Sequence, residues 1–228
     1  MVSLHGWHTK QIDYVLAYPQ ADVERDNLYL KIPRGFQAPD NKKEYVLKCN
    51  KNIYGQCQAG RVWYKHLVKR LKKIGFQQSK IDECLFTRGS IMYVLYTDDS
   101  ILAGPDEAEL NQVIKDMKAA KLDVTVEGDI SDFLGVKLEK LSDGSIKMTQ
   151  PHLIDSILKD LRLDGENVVT KETPAPISTT LGRCEASEPF DRSFEYQSVV
   201  GKLNYLEKST RPDISYATHE CARFSSDP

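Results

Sequence analysis

The stretch 91–104, IMYVLYTDDSILAG, restricts the fold more than any other part of the chain. It reads as two apolar strands separated by Thr97-Asp98-Asp99-Ser100, which makes a hairpin and commits the chain to antiparallel pairing. Aspartate favours turns, so a bland hairpin turn is one reading of the pair. A simple turn here would favour Asn-Gly or Asp-Gly, however, and adjacent carboxylates repel each other. The flanking Met92, Val94, Leu95, Ile101 and Leu102 set the pair beside a core, where desolvating two charges is costly. A hard divalent cation bound by carboxylate oxygens resolves both difficulties. On these grounds alone, turn and cation site both stand.

The rest of the chain supplies an α+β pattern around that hairpin. Residues 9–18 are β-prone and turn into a loop or short helix near Pro19. Short strands are expected at 28–32 and 44–49. Trp63, Leu67, Leu71 and Ile74 fall at helical spacing, which predicts a helix over 61–74 with Gly75 as its C-cap. Pro105-Asp106 opens a second helix whose buried stripe is Leu110, Val113, Ile114 and Met117. Residues 133–140 and 145–149 read as a hairpin across Asp143-Gly144, and a helix follows over about 152–163. Prolines, Ser/Thr clusters and scattered charge mark 164–192 as a linker or irregular loop. Helices at about 194–207 and 213–224 close the chain. Antiparallel hairpins with helices on one face are the expected architecture.

The 228 residues suffice for one large domain or two small ones. A net charge of −2 carries no global basic signal, so a nucleic-acid binder must gather its cations on one face. Arg61, Lys65, Lys69 and Lys73 recur every four residues on the first long helix. A solvated helix face and a phosphate-tracking face are both open readings. Cys49, Cys57, Cys84, Cys184 and Cys221 are odd in number and lack CxxC spacing, which argues against a zinc site or disulfide framework and for a reducing compartment. No apolar run approaches the roughly 18 residues of a membrane span, and MVSLHGWHTK lacks the apolar core of a signal peptide. The ending Ser226-Asp227-Pro228 suggests a piece of something longer.

Several blocks carry a family resemblance. Tyr96-Thr97-Asp98-Asp99 resembles the Y-x-D-D signature of reverse transcriptases. Asp13-Tyr14-Val15-Leu16-Ala17-Tyr18 resembles the D-x-x-x-A-[FY] motif, and LYLKIPRGF (28–36) resembles the segment that follows it in copia-type elements. Ile53-Tyr54-Gly55-Gln56-Cys57-Gln58-Ala59 with Trp63-Tyr64 resembles L-Y-G-L-K-Q-A-x-x-x-W-Y. Phe133-Leu134-Gly135-Val136 resembles the F-L-G-[IV] primer-grip strand. SVVGKLNY (198–205) with Thr210-Arg211-Pro212-Asp213-Ile214 resembles S-L-V-G-x-L-x-Y and T-R-P-D-I. The blocks stand in family order and cover residues 9 to 228 almost without gaps. The chain thus resembles the reverse transcriptase region of a Ty1/copia-type retrotransposon polyprotein.

That resemblance implies a right-hand polymerase core, with a palm of antiparallel strands and helices on one face, partial fingers and a helical partial thumb. It implies one domain over 1–150, with a fingers segment at about 23–60 and a primer-grip hairpin at about 132–150. A second would span 151–228, with thumb or connection helices around the irregular linker 164–192. The implied activity is RNA-directed DNA polymerisation, transferring a nucleotide from a dNTP to a primer 3′-hydroxyl with two Mg²⁺, or Mn²⁺ in their place. Asp13, Asp98 and Asp99 would hold the metal, with Asp13 and Asp98 as principal ligands. Neighbouring strands lie about 4.8 Å apart, so carboxylates at their ends can share cations roughly 3.5–4 Å apart.

By the same resemblance Tyr18 closes the space beside the sugar C2′ and rejects a 2′-hydroxyl, while Ala17 and Gln58 contact the incoming nucleotide. Phe133, Leu134 and Gly135 would place the primer end, which Tyr96 would meet unless it merely belongs to the hairpin core; Arg61, Lys65 and Lys69 would follow the phosphates if their helix face is not simply solvated. The implied partners are an RNA and DNA primer–template, dNTP, and other polyprotein parts such as RNase H and integrase, with no membrane. The implied location is a retrotransposon particle in the cytoplasm, or the nucleus.

The chain departs from the pattern at Gly60, where many relatives have proline, and at Thr97, where valine is common. The first should alter loop stiffness, and the second should have little consequence. Only about a dozen residues precede Asp13, so the basic fingers segment of family enzymes is expected to lie outside the chain, which on its own would be weak or inactive. Two other classes compete: a catalytically inactive nucleic-acid-binding remnant, and a metal-dependent nuclease or phosphatase. The latter needs a water-positioning residue, and no His or Glu stands near either motif; His8 is the closest in sequence, and its neighbours suggest an exposed strand start.

Overall fold

The computed structural model describes residues 2–23, 28–36, 45–165, 168–175, 180–182 and 190–227. The chain divides into two compact units, Met1–Ile130 and Ser131–Pro228.

The first unit is built on six antiparallel strands: β1 (His8–Tyr14), β4 (Gln77–Gln78), β5 (Leu85–Arg88), β6 (Ile91–Tyr96), β7 (Asp99–Gly104) and β8 (Val124–Gly128), in the order β4-β5-β6-β7-β1-β8. The predicted hairpin is β6–β7, with the two-residue loop Thr97-Asp98. Alternation decides its faces. Ile91, Tyr93 and Leu95 are buried, whereas Val94 and Tyr96 are exposed. Ser100 and Leu102 of β7 and Ile12 and Tyr14 of β1 continue the buried face.

Two helices cover that face. One, α3 (Ala59–Lys73), contributes Val62, Trp63, Leu67 and Leu71, and the other, α4 (Glu107–Ala119), contributes Leu110, Val113, Ile114 and Met117. Both follow the predicted apolar stripes. The Asp106 side chain accepts a hydrogen bond from the Ala108 N–H at 2.8 Å and caps α4 as expected. At the end of α3 the Phe76 N–H bonds to the Leu71 carbonyl and the Gly75 N–H to that of Lys72, with Gly75 at φ 94°. This is the predicted glycine cap, in its Schellman form. Short elements complete the unit: α1 (Val2–His5), α2 (Ala17–Gln20), and β2 (Tyr29–Lys31) paired with β3 (Val46–Lys48). These last two match the strands expected at 28–32 and 44–49, although residue 44 lies outside the described residues.

The second unit holds β9 (Asp132–Phe133), β10 (Val136–Lys140) and β11 (Ile146–Thr149), then α5 (Pro151–Asp160), α6 (Tyr196–Ser209), a 3₁₀ turn at Pro212–Ile214, and α7 (Ser215–Ala222). Its core is Ile157, Val199 and Leu206, with Leu153, Ile154, Leu161, Phe194, Leu203 and Ile214 packed around them. Described residues between 164 and 192 carry no helix or strand, in keeping with the expected irregular segment; 166–167, 176–179 and 183–189 lie outside the described residues.

Two expectations differ from the structure. Phe133 to Val136 is no continuous strand: Leu134 (φ 52°) and Gly135 (φ 75°) form a tight turn between β9 and β10. Positive φ at both central positions is the two-residue geometry that matches strand twist. The chain also parts after Ile130, whereas the expected division falls after residue 150. The strands β9–β11 belong with the helices that follow them: the Tyr205 hydroxyl donates to the Leu134 carbonyl at 2.5 Å, and Thr210 donates to the buried Gln150 side chain at 2.9 Å.

Candidate active site

Register brings the acidic residues together. Tyr96 of β6 pairs with Asp99 of β7, Asp99 pairs with Asp13 of β1, and Asp13 pairs with Thr125 of β8. Residues directly opposite one another on antiparallel strands project to the same face, with Cβ atoms roughly 4.5–5.5 Å apart. Tyr96, Asp99, Asp13 and Thr125 therefore form a row across four strands. The neighbours Ile12, Tyr14 and Ser100 are buried under the helices, so the row lies on the face opposite α3 and α4. The Thr125 hydroxyl reaches an Asp13 carboxylate oxygen at 3.5 Å. Asp98 sits one residue before Asp99, in the hairpin loop.

The electrostatics agree with this placement. Burial, and then the charges of Asp98 and Asp13, hold the Asp99 carboxyl above the usual carboxylate range. Negative charge is therefore concentrated at this end of the sheet. Three carboxylates are a suitable donor set for a hard cation. Among the described residues, however, no three His, Cys, Asp or Glu side chains are already gathered into a common metal site.

The loop that carries Asp98 is held from the core side. Thr97 lies in the left-handed region at φ 57°, costly for a β-branched residue. Its carbonyl accepts a hydrogen bond from the buried Trp63 indole N–H at 2.8 Å. Tyr14 packs edge-on against Trp63 with ring centroids 5.0 Å apart, and its hydroxyl is 2.6 Å from that of Tyr93. The Ser100 hydroxyl donates to the Ile12 carbonyl at 3.0 Å and ties β7 to β1 beneath the carboxylates.

Beyond β1 the chain turns through Leu16 (φ 48°) into α2, which carries Ala17 and Tyr18. Tyr18 stacks on Tyr54, ring centroids 4.4 Å apart and tilted by 30°. Burial first, and then the charge of Asp98, raise the pKa of the Tyr54 phenol, on which the charge of Asp13 also acts. Gln58 precedes α3, and its carbonyl accepts from the Val62 N–H at 3.0 Å. A Cβ at Gly60 would lie 3.6 Å from the Tyr18 hydroxyl, an ordinary contact. The structure thus brings Asp13, Asp98, Tyr18 and Tyr54 into one neighbourhood.

Other expected site residues lie elsewhere. Arg61, Lys65 and Lys69 are exposed on the outer side of α3, and α3 covers the face of the sheet opposite the carboxylate row. Phe133, Leu134 and Gly135 are at the β9–β10 turn of the second unit. Tyr54 had no role assigned from sequence. Its signal was its place in the same block as Gln58.

Comparison with known proteins agrees with these observations. A family model described as reverse transcriptase (RNA-dependent DNA polymerase) matches residues 1–176. The retrovirus-related Pol polyprotein from transposon RE1 of Arabidopsis thaliana is 31% identical over 223 residues, 96% of this chain and 15% of the relative. That from transposon TNT 1-94 of Nicotiana tabacum is 25% identical over 228 residues, 96% of this chain and 17% of the relative. A putative transposon Ty5-1 protein of Saccharomyces cerevisiae is 30% identical over 207 residues, 88% of this chain and 65% of its own length. The chain therefore spans about 15% of the length of the first of these polyproteins. The family match takes in the whole first unit and continues into the second, and on that ground the chain belongs to the reverse transcriptase family, among the Pol polyproteins of Ty1/copia-type retrotransposons.

Proposed function

We propose that this chain carries the nucleotidyl-transfer site of an RNA-directed DNA polymerase, which joins a deoxynucleoside monophosphate from dNTP to a primer 3′-hydroxyl. The observation that supports this most is the placement of Asp99 directly across from Asp13, with Asp98 on the adjoining loop. Asp13, Asp98 and Asp99 would hold two Mg²⁺, or Mn²⁺ in their place. When bound there, the ions supply activation of the 3′-hydroxyl and neutralisation of the triphosphate.

The chain's own residues do the rest. The carboxylates fix the positions of charge, and the core beneath them keeps those positions rigid. The Tyr18 ring stands where a 2′-hydroxyl would collide with it, and Ala17 and Gln58 line the nucleotide. Tyr96, in the same row and 58% exposed, meets the primer end. In this reading the first unit is a palm with part of the fingers. The second unit carries the primer-contacting turn Phe133-Leu134-Gly135 and thumb helices that follow the shape of an RNA–DNA duplex. Arg61, Lys65 and Lys69 track phosphates away from the metal site. RNase H and integrase are the companion parts of the polyprotein, which works in a cytoplasmic particle or the nucleus.

Primer extension on an RNA template with Mg²⁺ or Mn²⁺ tests the proposal, with a control lacking dNTP to expose degradation. Template-dependent extension is the expected result. Duplex binding without extension would instead favour an inactive nucleic-acid-binding remnant, and primer loss without dNTP a nuclease.

A further inference from the structure

Tyr54 stands out because it is an exposed aromatic held in place beside acidic residues. It is 51% exposed, so its position does not serve the core. Its ring packs on Tyr18 at 4.4 Å. Leu16, at φ 48°, makes the turn from β1 that brings the Ala17 N–H to the first position of α2.

Such a stack matters if Tyr18 excludes a substituent by bulk. Exclusion by a ring works only if the ring cannot swing aside, and an isolated Tyr side chain has rotamers available to it. A stacked partner removes those rotamers. We propose that Tyr54 is a positioning residue that holds the Tyr18 ring in place and thereby sets the preference for deoxyribo- over ribonucleoside triphosphates. This rests on the reading of Asp13, Asp98 and Asp99 as a polymerase site with Tyr18 facing the sugar. It assigns Tyr54 no contact with the reacting atoms. Its exposed surface makes removal tolerable for the fold, which keeps the test clean.

The test is equilibrium binding of dATP and of ATP, each with Mg²⁺, to the full chain on an RNA template. The DNA primer ends in a 3′-dideoxynucleotide, so no chemistry intervenes. The readout is the ratio of the two dissociation constants, from which any loss of folded protein cancels. Wild type should prefer dATP, and Tyr18→Ala should abolish the preference. Tyr54→Ala should lower it about 3- to 10-fold, the range for loss of one aromatic pair, chiefly by tightening ATP binding. Tyr54→Phe keeps the stack, so it should keep the wild-type preference. An unchanged ratio in Tyr54→Ala, in a series where Tyr18→Ala has lost it, would overturn the role of Tyr54 alone. A wild type that fails to bind or to prefer dATP, or a Tyr18→Ala variant that keeps the preference, would overturn the underlying reading as well.

Discussion

Thr97 occupies the first position of a two-residue hairpin loop with φ at 57°, a place usually taken by glycine. Left-handed backbone costs a non-glycine residue about 1–2 kcal/mol, offset in part by the hydrogen bond from Trp63. The result is a loop whose geometry is dictated from the core and not by its own preferences. Asp98 inherits that geometry. Replacing Asp98 by Asn keeps its size and turn compatibility but removes a charge. Single-turnover extension should fall by about 10²–10³ or more, while primer–template affinity at one fixed salt concentration stays the same. A parallel loss of both would point to a folding defect. Asp99→Asn should act differently on stability. Burial and two neighbouring carboxylates raise the folded-state pKa of Asp99, so the folded state holds that proton more tightly than the unfolded state does. Stability is then lost as pH rises from the ordinary carboxylate pKa through the raised one, and the deficit persists above it. Asp99→Asn removes the deficit. Its thermal midpoint should exceed that of wild type at pH 7 by the equivalent of less than about 1 kcal/mol, since the group is partly solvated. The difference should vanish below about pH 3, and a midpoint for the variant at or below wild type at pH 7 would contradict this account. The pairing of aspartates was legible as chemistry in the sequence, but their register was not. Nothing local indicates that Asp13 meets Asp99, because pairing between β1 and β7 depends on chain 86 residues and more away. Tyr54 escaped for a related reason: its stack with Tyr18 is visible only once both loops are placed.

Three helices end in the same hydrogen-bond pattern, and only one of them has glycine at the critical position. After α4 the Leu122 N–H bonds to the Met117 carbonyl and the Lys121 N–H to that of Lys118, with Lys121 at φ 62°. After α5 Leu163 and Arg162 repeat this with Leu158 and Lys159, and Arg162 lies at φ 55°. Gly75 serves α3 without strain. Lys121→Gly should therefore stabilise the first unit by about 0.5–1 kcal/mol, after allowing for the greater freedom of glycine in the unfolded chain. Chemical denaturation checks this, and a destabilised variant would show that the strain is relieved some other way. Helices were the most legible elements, since the stripes of α3 and α4 repeat often enough to fix both period and face. The turn at Leu134-Gly135 was the least legible. Its two residues sit between short strands, and the apolar letters on both sides mimic one longer strand; Gly135 was the available cue.

At the scale of the molecule, the chain contains two cores of different size. The first unit buries a large sheet–helix interior, the second a small cluster around Ile157, Val199 and Leu206. The class of fold was readable from hairpin and helix signals alone, whereas the strand order β4-β5-β6-β7-β1-β8 was not, because the first strand enters between two later ones. The division after Ile130 was hidden as well, since the resemblance groups the following strands with those before them. One face of the six-stranded sheet is covered by helices, and on the other Val94 and Tyr96 are 36% and 58% exposed. That asymmetry has a calorimetric consequence. Water in contact with apolar side chains has an elevated heat capacity, which is released when a partner covers them. Titrations of an RNA–DNA duplex at several temperatures should give a binding enthalpy that becomes steadily more negative on warming. A temperature-independent enthalpy would mean that the duplex is gripped by charge alone and never settles on the side of the sheet opposite α3 and α4.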